Sequence, residues 1–164
     1  MVRAARADDA AAVAAIHNAG IRERSSTFET REREPAEVAE RIASEVLFLV
    51  TEADGRVVGF AATAAYSDRE AYAGIAECSV YVDPELRGRG LGTELLGALA
   101  TEAERLGLHK LIGKLFARND ASMRLVARGG FRVVGTHERH GRLEGEWRDV
   151  ILVERVLAGQ PTMG

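Results

Sequence analysis

The stretch from Tyr81 to Thr93, Tyr81-Val82-Asp83-Pro84-Glu85-Leu86-Arg87-Gly88-Arg89-Gly90-Leu91-Gly92-Thr93, constrains the fold more than any other. It joins an apolar strand candidate, Ile75 to Val82, to a long amphipathic helix candidate from about Leu91 to Leu106. Pro84 ends the strand, because it fixes φ and lacks an amide for the ladder. A strand that turns this quickly into a long helix belongs to a layered α/β architecture rather than a sandwich or a bundle. Glycines let backbone approach a ligand closely, and the first amides of a helix have no intrahelical acceptor. With the helix dipole and two arginines added, the turn suits a phosphate or pyrophosphate. It is not a P-loop, since Gly92 is followed by Thr93-Glu94 with no lysine. It also departs from the dinucleotide turn, reading G-x-G-x-G after the fourth strand candidate instead of G-x-G-x-x-G after the first.

The remaining elements fit the same class. Val2 to Ala5 reads as a short strand, and Asp8 or Asp9 caps a helix from Ala10 to about Ile21. Arg22 to Glu34 is polar and reads as a loop, and Pro35 opens a second helix. Val46 to Val50 and Arg56 to Ala61 form a hairpin about Asp54-Gly55. After the central helix come a strand, Leu111 to Phe116, and a short helix, Asp120 to Arg128, stopped by Gly129-Gly130. Two strands, Phe131 to Val134 and Val150 to Val153 with their flanks, complete the order. A chain of 164 residues sets a prior of one domain. Its net charge of −3 advertises no surface for nucleic acid or for an anionic membrane. A single cysteine, Cys78, excludes an internal disulfide and a Cys-rich zinc site. No apolar run or leader-like stretch appears, so a soluble cytoplasmic protein is expected.

Arg87-Gly88-Arg89-Gly90-Leu91-Gly92 matches in full the Arg/Gln-x-x-Gly-x-Gly/Ala signature of the GNAT N-acetyltransferases. The resemblance extends from Val2 to about Leu157. It implies a mixed, mostly antiparallel α/β sheet splayed between its fourth and fifth strands, with helices on both faces. Residues 1–158 would form a single acetyltransferase domain and 159–164 a short tail. It implies acetyl-CoA as cosubstrate, its pyrophosphate on the amides from about Gly88 to Gly92, with Arg87, Arg89 and Thr93 completing the set. The backbone of Val80, Tyr81 and Val82 would pair with the pantetheine arm like an added strand, and Asn119 would contact that arm. Three further stretches, around Ser26-Thr27-Phe28-Glu29-Thr30, Ala76 to Val82 and His140 to Val150, resemble the phosphinothricin and arsinothricin N-acetyltransferase branch. Those resistance enzymes acetylate the α-amine of small glutamate mimics, methionine sulfoximine among them, and are usually homodimers.

An amino-acid ammonium must lose a proton before its nitrogen can attack a thioester. Glu77 interrupts an apolar strand, shares a face with Ile75, Ser79 and Tyr81, and matches the family's base. Apolar surroundings would raise its pKa; the alternative is a structural carboxylate bonded to a neighbouring amide. By resemblance, the Val82 N–H stabilises the oxyanion. Val126 stands where many relatives carry a tyrosine acid, so no acid is assigned. Cys78 lies opposite Glu77 by alternation and reads as a small buried hydrophobe. For the acceptor, Arg69 aligns with a branch arginine suited to a phosphinate or arsinate, although Asp68 and Glu70 beside it fit a solvated loop equally well. Phe28, His140 and Trp147 are the other candidates. His137 and His140, three apart on a strand, should face opposite ways, and no metal site is expected. The other readings are a peptide N-acetyltransferase and a non-catalytic acyl-CoA-binding module. The lengths of 22–34 and 138–148 favour closure over a small acceptor, and aromatics at 5% disfavour a single-stranded nucleic acid.

Overall fold

The computed structural model describes residues 1–158; the expected tail, 159–164, lies outside the described residues. The chain runs β1 (Val2–Ala4), α1 (Ala10–Glu23), α2 (Pro35–Ser44), β2 (Phe48–Ala53), β3 (Arg56–Ala65), β4 (Ile75–Val82), α3 (Leu91–Arg105), β5 (Lys110–Phe116), α4 (Asp120–Arg128), β6 (Arg132–Leu143) and β7 (Glu146–Val156). One seven-stranded sheet has the order β1-β2-β3-β4-β5-β7-β6. Every neighbouring pair is antiparallel except β4–β5.

Local chemistry accounts for most element boundaries. Asp54 and Gly55 both take positive φ, as a two-residue hairpin turn requires. Pro35 sits in the first turn of α2, and the Glu37 side chain accepts from the Glu34 amide. Asp9 precedes α1 but makes no side-chain bond to it; its carboxylate accepts from the Arg6 amide and pairs with Arg3 at 2.8 Å. That arginine holds the Asp9 carboxyl below its ordinary pKa.

The sheet is covered on both faces. On one, α3 and α4 bury Leu95, Leu96, Leu99 and Val126 against Ala61, Ala76, Leu111 and Val153. On the other, α1 and α2 bury Val13, Ile16 and Val38 against Phe48, Val50 and Phe60. Each large side chain so enclosed contributes about 1.5–3 kcal/mol by burial. The two cores tie β4 between helices on either side.

The sheet forks beside β4. Pairing with β5 covers only Ile75↔Lys110, Ala76↔Leu111 and Glu77↔Ile112, after which the two strands part. β4 continues alongside β3 to Val82, while β5 continues alongside β7 to Phe116. The splay expected between the fourth and fifth strands is present and begins at Glu77.

One region departs from the sequence reading. Residues 138–148 form no covering loop; they continue the β6–β7 hairpin, which closes on a two-residue turn at Glu144-Gly145, both with positive φ. The ladder slips between His137 and Gly141, and Arg139 takes φ 45 there, its amide donating to Asp149 at 2.7 Å. That bulge breaks the two-residue alternation. His137 and His140 therefore stack on one another, 4.4 Å between ring centroids, instead of facing opposite ways.

Candidate active site

Alternation along β4 sorts its groups between two faces. Ala76, Cys78, Val80 and Val82 pack toward α3, while Tyr81 joins the α1–α2 core. Glu77 and Ser79 share the Tyr81 face. Burial and the Glu77 charge push the Cys78 thiol up to about 12, so it is no nucleophile near neutrality.

The backbone alternates as well. The Asp83 amide donates to the Val58 carbonyl at 2.8 Å, which makes Val58 and Asp83 a hydrogen-bonded pair. Gly59 and Val82 are then a non-bonded pair, and Phe60 and Tyr81 a bonded one. The N–H and C=O of Val80 and Val82 therefore point away from β3 and into the fork. Those of Tyr81 point to β3, so Tyr81 offers its backbone to no ligand in the gap. Its side chain instead lies against His17 and Phe60, 4.9 and 5.3 Å between centroids, and beside Gly20. A Cβ on Gly20 would stand 2.8 Å from the tyrosine ring.

Beyond Val82 the glycine turn takes the shape that its composition allows. Gly88 and Gly90 have φ +79 and +83, a region that favours glycine, and no atom lies within 4 Å of where their Cβ would be. Gly90 precedes the first turn of α3 and leaves its amides open. Val80, Val82, Gly88, Gly92, Thr93 and Leu125 line a cleft of about 250 Å³ running from the fork to these amides. Arg89 is exposed at the tip. The turn's free amides, the unpaired edge of β4 and the cleft between them fit a long phosphate-ended thioester.

Two residues expected at this ligand are engaged by the protein itself. Arg87 makes a bidentate ion pair with Glu23 at the end of α1, both contacts 2.8 Å, and its Nε donates to the Val82 carbonyl at 3.4 Å. Asn119 caps α4 by accepting from the Ser122 amide at 3.1 Å, and its Nδ2 donates to the Ser25 carbonyl at 3.3 Å. Arg24, at φ 56, reaches Glu144 in the β6–β7 turn at 2.7 Å. Residues 23–25 thus form a strap tied to the glycine turn, to the head of α4 and to the β6–β7 turn.

The strap then carries Phe28 and Glu29 back over the face of the sheet that α1 covers. Phe28 packs on Phe116 at 4.8 Å and on Gly141, where a Cβ would stand 2.6 Å from the ring. Glu29 accepts from two partners, His17 Nε2 at 3.0 Å and Arg33 Nε at 2.9 Å. These bonds, His17 first, hold its carboxyl down at about 2 despite partial burial. Asn18 pins the same segment through both backbone groups of Arg33, at 2.7 and 3.0 Å. A cleft of about 580 Å³ lined by His17, Glu29, Arg33, Arg41, Ser79 and Tyr81 lies beside it.

Glu77 sits at the base of the fork on this face. Its surroundings differ from the apolar ones expected: the side chain is 34% exposed, and its Oε2 lies 3.4 Å from Lys114 Nζ on β5. Lys114 escaped the sequence reading, although it breaks an apolar strand just as Glu77 does. Glu23 escaped too, since nothing local in a helix end announces a partner 64 residues away.

The other acceptor candidates are not gathered here. Arg69 is exposed in the β3–β4 loop with its guanidinium over Tyr72, 5.4 Å from the ring centroid. His140 is exposed on β6 against His137. Trp147 is half exposed beneath Arg142 and lines a third cleft, about 470 Å³, with Arg24, Ser25 and Phe116. Val126 is buried in the α3–α4 core and holds no phenol. Among the described residues, no group of three or more His, Cys, Asp or Glu is placed to hold a metal ion, and no helix is long and apolar enough to cross a membrane.

Comparisons with known proteins agree with this arrangement. The model of the acetyltransferase (GNAT) family matches residues 14–131. A phosphinothricin N-acetyltransferase of Streptomyces coelicolor is 35% identical over 149 residues, 87% of each chain. An L-methionine sulfoximine/L-methionine sulfone acetyltransferase of Pseudomonas aeruginosa is 32% identical over 131 residues, 80% of this chain and 71% of the relative. The structure of a GNAT superfamily phosphinothricin acetyltransferase from Sinorhizobium meliloti in complex with AcCoA superposes with a TM-score of 0.92. It is 29% identical and covers 100% of this chain and 94% of that one. With a family model matched over most of its length, and a forked sheet whose open edge leads to a glycine turn, the chain belongs to the GNAT acetyltransferase family and uses acetyl-CoA.

Proposed function

We propose that this enzyme acetylates the α-amine of a small amino acid of the phosphinothricin or methionine sulfoximine type by direct attack in a ternary complex. The observation that carries this reading is the fork itself: it opens at Glu77, the one carboxylate on β4, and the Val80 backbone and the Val82 N–H, unpaired to β3, line its edge. The reading also draws on relatives named for such acceptors. Residues 1–158 act as one domain.

In this scheme the Gly88–Gly92 amides, Arg89 and Thr93 hold the pyrophosphate, with Arg87 and Asn119 joining once freed from the strap. Acetyl-CoA supplies the thioester, and the edge of β4 orients it. Glu77 takes the proton from the acceptor ammonium, directly or through water. The neutral nitrogen attacks the thioester carbon, the C–N bond forms and the C–S bond breaks. The Val82 N–H donates to the carbonyl oxygen as negative charge gathers there. The departing thiolate takes a proton from water or from the amine that has just reacted. Phe28 and Phe116 wall the acceptor pocket, Trp147 shares a neighbouring cleft with Phe116, and Arg69 and His140 reach the acceptor by closure or from a second subunit. The exposed strand β6 is the face we assign to a homodimer in the cytoplasm.

A thiol-release assay with acetyl-CoA tests the reading against phosphinothricin, arsinothricin, methionine sulfoximine, glutamate, a polyamine and a short peptide. Turnover is expected on the tetrahedral glutamate mimics and little on the polyamine or peptide. Glu77→Gln should lower kcat by about 10²- to 10⁴-fold while acetyl-CoA still binds. Turnover on the peptide alone would replace the acceptor class, and acetyl-CoA binding without any turnover would restore the non-catalytic module.

A further inference from the structure

The face of β5 turned toward Glu77 presents Ile112, Lys114 and Phe116 by alternation, while Leu111 and Leu115 pack toward α3. Ile112 is the last β5 residue paired to β4, so Lys114 is the first residue on this face beyond the branch point. Its Nζ lies 3.4 Å from Glu77 Oε2, and among the described residues Glu77 is its only ionic partner. Lys114 is 49% exposed and Glu77 34%, so both heads are accessible from solvent at the mouth of the fork. By contrast Lys110, four residues earlier on the same strand, is closed off by Glu154 at 3.2 Å.

We propose that Lys114 is the receptor for the acceptor's free α-carboxylate, and that this makes the enzyme selective for amino acids over amines and peptides. The proposal rests on the reading that the acceptor is an amino acid. An α-amino acid carries an ammonium and a carboxylate on one carbon, at about the separation of the Glu77–Lys114 pair. It can therefore exchange one ion pair for two, its ammonium on Glu77 and its carboxylate on Lys114, and leave no charge unpartnered. Proton transfer to Glu77 removes the lysine's carboxylate partner, and the acceptor's own carboxylate replaces it. A polyamine or a peptide N-terminus brings an ammonium to Glu77 but nothing to Lys114. Phe116, two residues further along the same face, packs edge-on against Phe28 and puts apolar surface next to the pair.

The test compares L-methionine sulfone with its α-carboxamide as acceptors. The carboxamide's amine is the less basic of the two, so chemistry alone favours the amide. Wild type should nevertheless prefer the acid, with a kcat/KM about 10- to 100-fold higher, the range of one charge-assisted contact. In Lys114→Met the loss should fall on the acid, mainly through KM, and bring the two acceptors within about 3-fold of each other. Lys114→Arg should restore most of the preference, because it keeps the cation. Equal use of acid and amide by wild type, or a preference that survives Lys114→Met, would overturn the proposal. So would a proportionate loss on both acceptors, which would mark Lys114 as merely positioning Glu77. Turnover of neither acceptor, with the peptide still acetylated, would instead sink the amino-acid reading on which the proposal rests.

Discussion

The two faces of β4 are built by different means. On the α3 side, the edge of β4 and the glycine turn offer mainly backbone, contributed by fourteen consecutive residues, Val80 to Thr93. Its groups are amides and carbonyls placed by φ angles, and side chains matter mainly by being absent. The opposite face is made of side chains brought together from α1, the strap, β4 and β5: His17, Phe28, Glu29, Glu77, Lys114 and Phe116. A cosubstrate common to a whole family needs a backbone site that tolerates sequence change. An acceptor that differs between relatives needs replaceable side chains. The strap touches both sites, with Glu23 on Arg87 at one end and Phe28 over Phe116 at the other.

Three changes would sharpen or break this contrast. The largest effect should come from Gly90→Val. A branched side chain at φ +83 forces the turn to move, and acetyl-CoA affinity measured by calorimetry should fall about 10- to 100-fold. An unchanged affinity would mean that the backbone of the turn does not form the cosubstrate site. Glu23→Gln should act in the opposite direction. Removing the carboxylate that holds Arg87 frees the guanidinium for the pyrophosphate, and affinity for acetyl-CoA should rise about 3- to 10-fold. A weaker binding would mean that Glu23 positions Arg87 instead of competing for it.

The smallest effect concerns stability on the acceptor side. Glu29 has its carboxyl lowered from 4.5 to about 2, chiefly by His17 and then by Arg33. Its folded pKa lies below its unfolded one, so its stabilisation is complete above about pH 4.5 and fades as pH falls toward 2. Glu29→Gln should therefore cost about 1 kcal/mol at neutral pH. The gap in Tm between the two proteins should shrink through that acid window. A gap independent of pH would deny Glu29 its ion pairs.

The legibility of the site follows the same division. The glycine turn, the strand feeding it and the helix after it are contiguous, and β4 and α4 run between the residues that the sequence indicates. Glu77 stood out because a carboxylate interrupts an apolar strand. Lys114 breaks β5 in the same manner, and that signal went unused. Glu23, Glu29 and His17 had no local signal, since an ion pair spanning 12 or 64 residues has no period. Arg69 and His140 had family alignment behind them, yet their loop and strand leave them exposed and apart from the cleft. His140 shares a face with His137 for a physical reason: one bulge reverses the facing of every residue beyond it.

By itself the sequence determined what depends on neighbours along the chain: the hairpin at Asp54-Gly55, the proline-opened α2, the left-handed glycines, and the strand-to-helix turn with its open amides. Only the tertiary structure decided where β4 and β5 part, which of their backbone groups are left unpaired, and which charges meet across the gap. Local conformation is governed by φ, ψ and side-chain sterics, which a few residues specify. The pairing of Glu77 with Lys114 and of Glu23 with Arg87 depends on packing of distant elements, which no local stretch of the chain contains.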